Sequence, residues 1–138
     1  MIVLDTSVVV AAMNRRDDHH RAVVDWLQTV SGALVTSPLA LAEMDYLVTR
    51  HGGLAAAQRL YDDFDAGAYR VEWCPAAIHG SVEVAREYRG LGLADASLVA
   101  IAGRLGTADV ATLDERRFRT LRPLTGEPAF RLLPADAD

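Results

Sequence analysis

Ile2-Val3-Leu4-Asp5-Thr6-Ser7 is the stretch from which the fold is read. A short, wholly apolar run bounded by polar residues reads as a strand buried on both faces. It ends abruptly at a carboxylate and two hydroxyl residues, after which Val8 to Met13 looks helical. The same strand-then-helix grammar recurs. Asn14 to Asp18 is a polar loop, and His20 to Val30 carries Val23, Val24, Leu27 and Val30 at the spacing of an amphipathic helix. Leu34-Val35-Thr36 is a second strand, followed by Ser37 as N-cap and Pro38 at the first helical position. That helix is expected to run to about Arg50 and stop at Gly52-Gly53.

Further on, Leu54 to Asp65 predicts a helix and Tyr69 to Trp73 a strand. Ala76 to Tyr88 is a helix that reaches the turn Gly90-Leu91-Gly92, and the alanine-rich Ala94 to Leu105 is a buried helix closed by Gly106. Asp109 to Leu113 is the fourth strand, Glu115 to Leu121 a short helix or turn, and Phe130 to Leu133 an edge strand. Pro134 to Asp138 is expected to be a loose tail. Strands separated by helices imply an α/β fold, a three-layer α/β/α sandwich around a parallel sheet. With 138 residues and no linker, repeat or low-complexity tract, residues 1–138 form a single domain.

Composition narrows the chemistry. Half of the residues are hydrophobic (51%) and a quarter charged (24%), enough for a real core. Cys74 is the sole cysteine, which excludes an internal disulfide and a thiolate metal cluster. No apolar run has the length of a membrane span and no basic leader precedes Ile2, so the expected setting is cytoplasmic. All 14 basic side chains are arginine. Without lysine the chain cannot carry the Gly-Lys of a P-loop nucleotide hydrolase. A net charge of −5 argues against coating nucleic acid by bulk electrostatics. It leaves room for a nuclease that meets its substrate through cations, which reverse the sign of an acidic site.

Four acids stand where α/β sheets build sites, beyond the carboxyl ends of strands or on apolar helix faces. Asp5 follows the first strand and reads about equally as a helix N-cap. Glu43 shares its helical face with Leu39, Ala40, Tyr46 and Leu47. A carboxylate buried on such a stripe costs several kcal/mol, roughly, unless it is metal-bound or paired with an arginine. Asp45, two positions on, points elsewhere and reads as a surface or helix–helix polar residue. Asp95 lies among Leu91, Gly92, Leu98 and Val99, with Gly92 expected to permit a close backbone approach; its plainer role is to complement the helix dipole. Asp114 ends the Val110-Ala111-Thr112-Leu113 run and could be only a turn residue. Taken together the four suit hydrolysis of a phosphodiester, because Mg²⁺ takes oxygen ligands and relieves repulsion among crowded carboxylates.

Other side chains point less clearly. His19 and His20 are adjacent and cannot share a metal from one helix, and His51 and His79 form no H-x-x-x-H pair, so zinc is not expected. Ser7 and Thr112 read as supports for the carboxylates rather than nucleophiles, since no Ser-His-acid order is present. Arg116, Arg117, Arg119 and Arg122 are the one dense basic cluster, equally suited to surface salt bridges and to gripping phosphates.

With these residues assembled, the chain resembles the PIN-domain ribonucleases, and among them the VapC-type toxins of toxin–antitoxin systems. The resemblance rests on Ile2-Val3-Leu4-Asp5-Thr6-Ser7, on Ser37-Pro38 to Glu43 with Tyr46-Leu47, on Gly92-Leu93-Ala94-Asp95-Ala96, and on Thr112-Leu113-Asp114-Glu115-Arg116-Arg117-Phe118 followed by Leu121-Arg122-Pro123. It implies a PIN-like α/β/α sandwich with metal carboxylates at Asp5, Glu43, Asp95 and Asp114 and a hydroxyl helper at Thr112. It further implies Mg²⁺, replaceable by Mn²⁺, an RNA substrate, a homodimer, and a VapB-type antitoxin through which alone DNA is contacted. Two alternatives stand beside it. One is an aspartyl-nucleophile phosphotransferase or phosphatase using Asp5, against which Ser7 stands where a second Asp is needed and lysine is missing. The other is a non-catalytic PIN-like binding module.

Overall fold

The computed structural model describes residues 1–138. In chain order the elements are β1 (Ile2–Leu4), α1 (Thr6–Met13), α2 (His20–Leu27), β2 (Leu34–Thr36), α3 (Pro38–Asp65), β3 (Arg70–Val71), α4 (Ala77–Glu87), α5 (Leu93–Leu105), β4 (Asp109–Ala111), α6 (Glu115–Phe118) and β5 (Arg131–Leu133). The strands form one sheet in the order β3-β2-β1-β4-β5, every neighbouring pair parallel. Val3, Leu4, Val35, Val110, Ala111 and Leu132 are almost wholly buried, as expected of strands covered on both faces. α1 packs against α2 and α3, and α4 against α5, as right-handed crossovers on the two faces of the sheet would require. No helix is long and apolar enough to cross a membrane.

α3 is a helical hairpin rather than a rod. Straight, its residues would span about 42 Å at 1.5 Å each. Instead Gly53 leaves helical geometry at φ 72°, ψ −171°, a region open in practice to glycine alone. The chain folds back there, so that the Tyr61 hydroxyl reaches Asp45 Oδ1 at 2.5 Å. Both the stop at Gly52-Gly53 and the polar helix–helix role of Asp45 match the sequence reading.

Several boundaries are shorter than expected. α2 ends at Leu27 instead of Val30, with the Thr29 hydroxyl capping the Trp26 carbonyl at 2.7 Å. β3 is limited to Arg70 and Val71. β4 stops at Ala111, two residues early, because the Thr112 side chain turns into the site while its N–H still bonds the Leu133 carbonyl at 2.9 Å. The tail is not wholly loose: Arg119 holds Asp136 through two bonds of 2.6 and 3.0 Å, and the Leu132 N–H donates to the same carboxylate at 2.8 Å.

Candidate active site

The strand order turns at β1. The chain moves from β1 outward to β2 and β3, then returns to β4 on the other side, so the switch point at which such sheets take ligands, here called the β1–β4 crevice, lies beyond the carboxyl ends of β1 and β4. Asp5 follows β1 and Thr112 follows β4, held side by side by the ladder bond from the Asp5 N–H to the Ala111 carbonyl at 2.9 Å.

Asp5 occupies the N-cap position of α1, yet its carboxylate makes no capping bond. Its Oδ2 accepts from the Ser7 hydroxyl at 2.6 Å and the Thr112 hydroxyl at 2.7 Å. The supports are themselves held: the Leu113 N–H donates to Ser7 Oγ at 2.9 Å and the Asp114 N–H to Thr112 Oγ1 at 3.0 Å. The plain capping role therefore fails for Asp5. Its side chain is 6% exposed and preset in orientation, with donors on one oxygen only.

Asp95 lies in the first turn of α5, 8% exposed. Gly92 starts that helix at φ 84°, ψ 160°, again a glycine-only conformation. The expected close approach at Gly92 is absent, since an added Cβ would meet nothing within 4 Å. Backbone conformation, not space, requires the glycine. Ser37, the N-cap of α3, shares a 2.6 Å hydrogen bond with Ser97 on α5, which ties the helix bearing Glu43 to the helix bearing Asp95.

Glu43 corrects the sequence reading. It is exposed, and the buried stripe of α3 runs through Ala40, Met44 and Val48 beside it. It has no ion pair, so no arginine explains it. Partial burial still raises its carboxyl above the usual range, helped by the charges of Asp95 and Asp5 and opposed by Arg117. Asp114 does act as the N-cap of α6, accepting from the Arg117 N–H at 3.1 Å. A local role and a site role coincide there.

Arg117 was missed as a member of this group. Its Nη1 donates to Asp95 Oδ2 at 2.5 Å and its Nε lies 3.3 Å from Asp114 Oδ2. The spacing from Asp114, three residues on a helix, could have signalled the second contact but not the first. Burial pushes the Asp95 carboxyl up; Arg117 opposes this, and Asp5 and Asp114 add to it. The bond to Asp95 in turn raises the guanidinium. Of the basic cluster, Arg119 is spent on Glu115 and Asp136, while Arg116 and Arg122 are exposed.

Four acids thus lie within reach of one another's charge near the β1–β4 switch point, with oxygen donors only. They are not a finished coordination shell, because no three stand in a geometry that would hold a metal ion and Arg117 lies against two of them.

The PIN-domain family profile matches residues 2–122. The chain is 34% identical to ribonuclease VapC26 of Mycobacterium tuberculosis over 96% of its own length and all of that protein. In structure it is similar to the sarcin-ricin loop cleaving toxin VapC20 of M. tuberculosis, with a TM-score of 0.75 at 23% identity, covering 83% of this chain and 91% of that one. It is also similar to VapBC2 of Rickettsia felis bound to a DNA fragment from their promoter, with a TM-score of 0.65 at 21% identity, covering 90% and 96%. With the family profile over most of its length, a relative 34% identical and a parallel sheet that fits the same fold, the chain belongs to the PIN-domain family.

Proposed function

We propose that this chain is a Mg²⁺-dependent endoribonuclease, with Mn²⁺ able to substitute, and the toxin of a toxin–antitoxin pair acting in the cytoplasm. One observation supports the proposal: Asp5, Glu43, Asp95 and Asp114 lie near enough beyond the carboxyl ends of the strands to feel one another's charge, with Asp5 preset by two hydroxyls. An all-oxygen, like-charged donor set fits a hard divalent cation by donor type. A cation bound there supplies a water-derived nucleophile at neutral pH and offsets charge on the departing oxygen. Asp5 keeps one carboxylate face rigid, because Ser7 and Thr112 fix its rotation. Thr112 donates to Asp5 and accepts from the Asp114 N–H, so one hydroxyl links both acids. Arg116 and Arg122, free of carboxylate partners, suit contact with substrate phosphates.

The likeness to ribonuclease VapC26 supports RNA as substrate, and the family assignment leaves the aspartyl-nucleophile alternative without support. The likeness to the VapBC2 assembly supports an antitoxin partner; a toxin homodimer, and contact with DNA only through the antitoxin, are part of the proposal. Purified protein incubated with total cellular RNA should cleave with Mg²⁺ or Mn²⁺ and stop with EDTA, and Asp5→Asn should be inert. Undiminished cleavage in EDTA, or by Asp5→Asn, would overturn the mechanism.

A further inference from the structure

We propose that Arg117 is a built-in counter-cation that a divalent ion must displace from Asp95 and Asp114 in order to load. The inference rests on the metal-dependent reading above, and goes beyond it by naming what the site holds beforehand.

The geometry is that of a substitute charge. A guanidinium reaches the most buried helix-borne acid of the group at 2.5 Å and a second acid at 3.3 Å, so that its planar fork bridges two carboxylates through different nitrogens. Asp95 has no other side-chain partner, so Arg117 alone neutralises a carboxylate that is 8% exposed. The oxygens it engages belong to two of the acids proposed to take the ion, and one oxygen pair cannot face a guanidinium and a metal from the same side.

The arginine can leave without unfolding its surroundings. Phe118, fully buried against Phe130 in an edge-to-face contact 6.3 Å between centroids, anchors α6. The Arg117 backbone is pinned separately, through its N–H to Asp114. The side chain itself is 48% exposed and borders an open concavity of about 350 Å³ lined by Tyr88, Arg89, Gly90, Leu91, Thr120 and Leu121. Rotation into that space frees both acids and leaves the backbone in place. Arg119, two residues on, shows the contrast: its carboxylate partners, Glu115 and Asp136, lie outside the crevice.

A competitor of this kind has two linked effects of opposite sign. Without metal it stabilises the fold by pairing a buried charge. With metal it weakens apparent affinity, because its contacts must be lost first. Isothermal titration of Mg²⁺ and of Mn²⁺ into wild type and Arg117→Gln, with melts of both in EDTA and in saturating Mg²⁺, reads both. Arg117→Gln should bind either ion tighter, by roughly tenfold, within the usual span of coupled equilibria. It should also melt below wild type in EDTA, with the gap narrowing in Mg²⁺. Arg117→Lys, which keeps a charge but lacks the fork, should tighten binding by a smaller factor and covers the case in which the glutamine variant does not fold. Unchanged or weaker ion affinity in both variants, while wild type binds Mg²⁺, overturns this inference and leaves the metal site standing. No Mg²⁺ binding by wild type or either variant overturns both.

Discussion

Thr112 shows how much a single hydroxyl does at the crevice: it donates to Asp5 and accepts from the Asp114 backbone. Thr112→Val keeps the shape and removes both bonds, so it should lower unfolding free energy by about 1–3 kcal/mol, the cost of leaving a buried polar group unsatisfied. Cleavage should fall with it, and Thr112→Ser should restore most of both in urea titrations and cleavage time courses. A valine variant as active as wild type would mean that Asp5 needs no orienting. Glu43 offers a pH test of opposite kind. Its carboxyl is raised on folding, so its charge opposes the fold above that raised value and the penalty disappears as pH falls through it. In EDTA, Glu43→Gln should therefore melt above wild type at pH 7, and the two should converge on acidification. A gap that persists at a pH where wild-type Glu43 is protonated would trace the gain to packing rather than charge. Asp136 behaves inversely. Arg119 draws its carboxyl down to about 2, so the support it lends the tail is present above the ordinary carboxylate range and lost progressively as pH falls from there through that value.

Two glycines in the same rare conformation separate element from site. Gly53 breaks α3 at φ 72° and Gly92 starts α5 at φ 84°. Alanine at either should cost about 1–3 kcal/mol of strain. Gly92→Ala, three residues from Asp95, should also weaken Mg²⁺ binding, whereas Gly53→Ala, at the far end of the first half of α3 from Ser37, should leave it near wild type; calorimetric titration beside thermal melts checks this. Equal loss of Mg²⁺ affinity in both would mean that α5's start does not position Asp95. The same comparison marks what was legible in the sequence. The break at Gly52-Gly53, the strand before Asp5 and the Asp45 role were visible because each depends on local pattern: a glycine pair, an apolar run, a helical offset. Glu43 was misjudged because, of its neighbours at three and four positions, only Ala40 lies in the buried stripe, while Leu39 and Leu47 are half-buried and Tyr46 is 60% exposed. Arg117 was invisible as a site residue because its shortest bond spans α6 to α5, a pairing that only the β1–β4 crevice creates.

At the scale of the whole molecule, the parallel sheet is polar, and its two ends should answer differently to a cation. All five strands point the same way, so every chain reversal into a helix after β1, β2 or β4 occurs at one edge, and the four acids gather there. Asp109 begins β4 at the opposite edge and lies 3.9 Å from Arg131 on β5. It serves as an internal control: an acid on the same strand as the residues leading to Asp114, at the wrong end for the crevice. A ligand that binds only the folded state raises stability by mass action, and at 100 times its dissociation constant the gain is about 2.7 kcal/mol. Wild type should therefore melt higher in saturating Mg²⁺ than in EDTA. Asp109→Asn should show the same rise from a similar baseline, because it loses only an exposed pair worth at most about 1 kcal/mol. Asp95→Asn should lose most of the rise and cleave orders of magnitude more slowly, since the lost group both holds and orients the ion. Its melt in EDTA should stay close to wild type, because removing one charge from the cluster relieves repulsion while costing the contact to Arg117. Thermal melts of the three proteins with EDTA and with Mg²⁺, beside one cleavage course each, separate the two edges. If Asp109→Asn loses the Mg²⁺ response and Asp95→Asn retains it, the ion does not bind at the carboxyl ends of the strands.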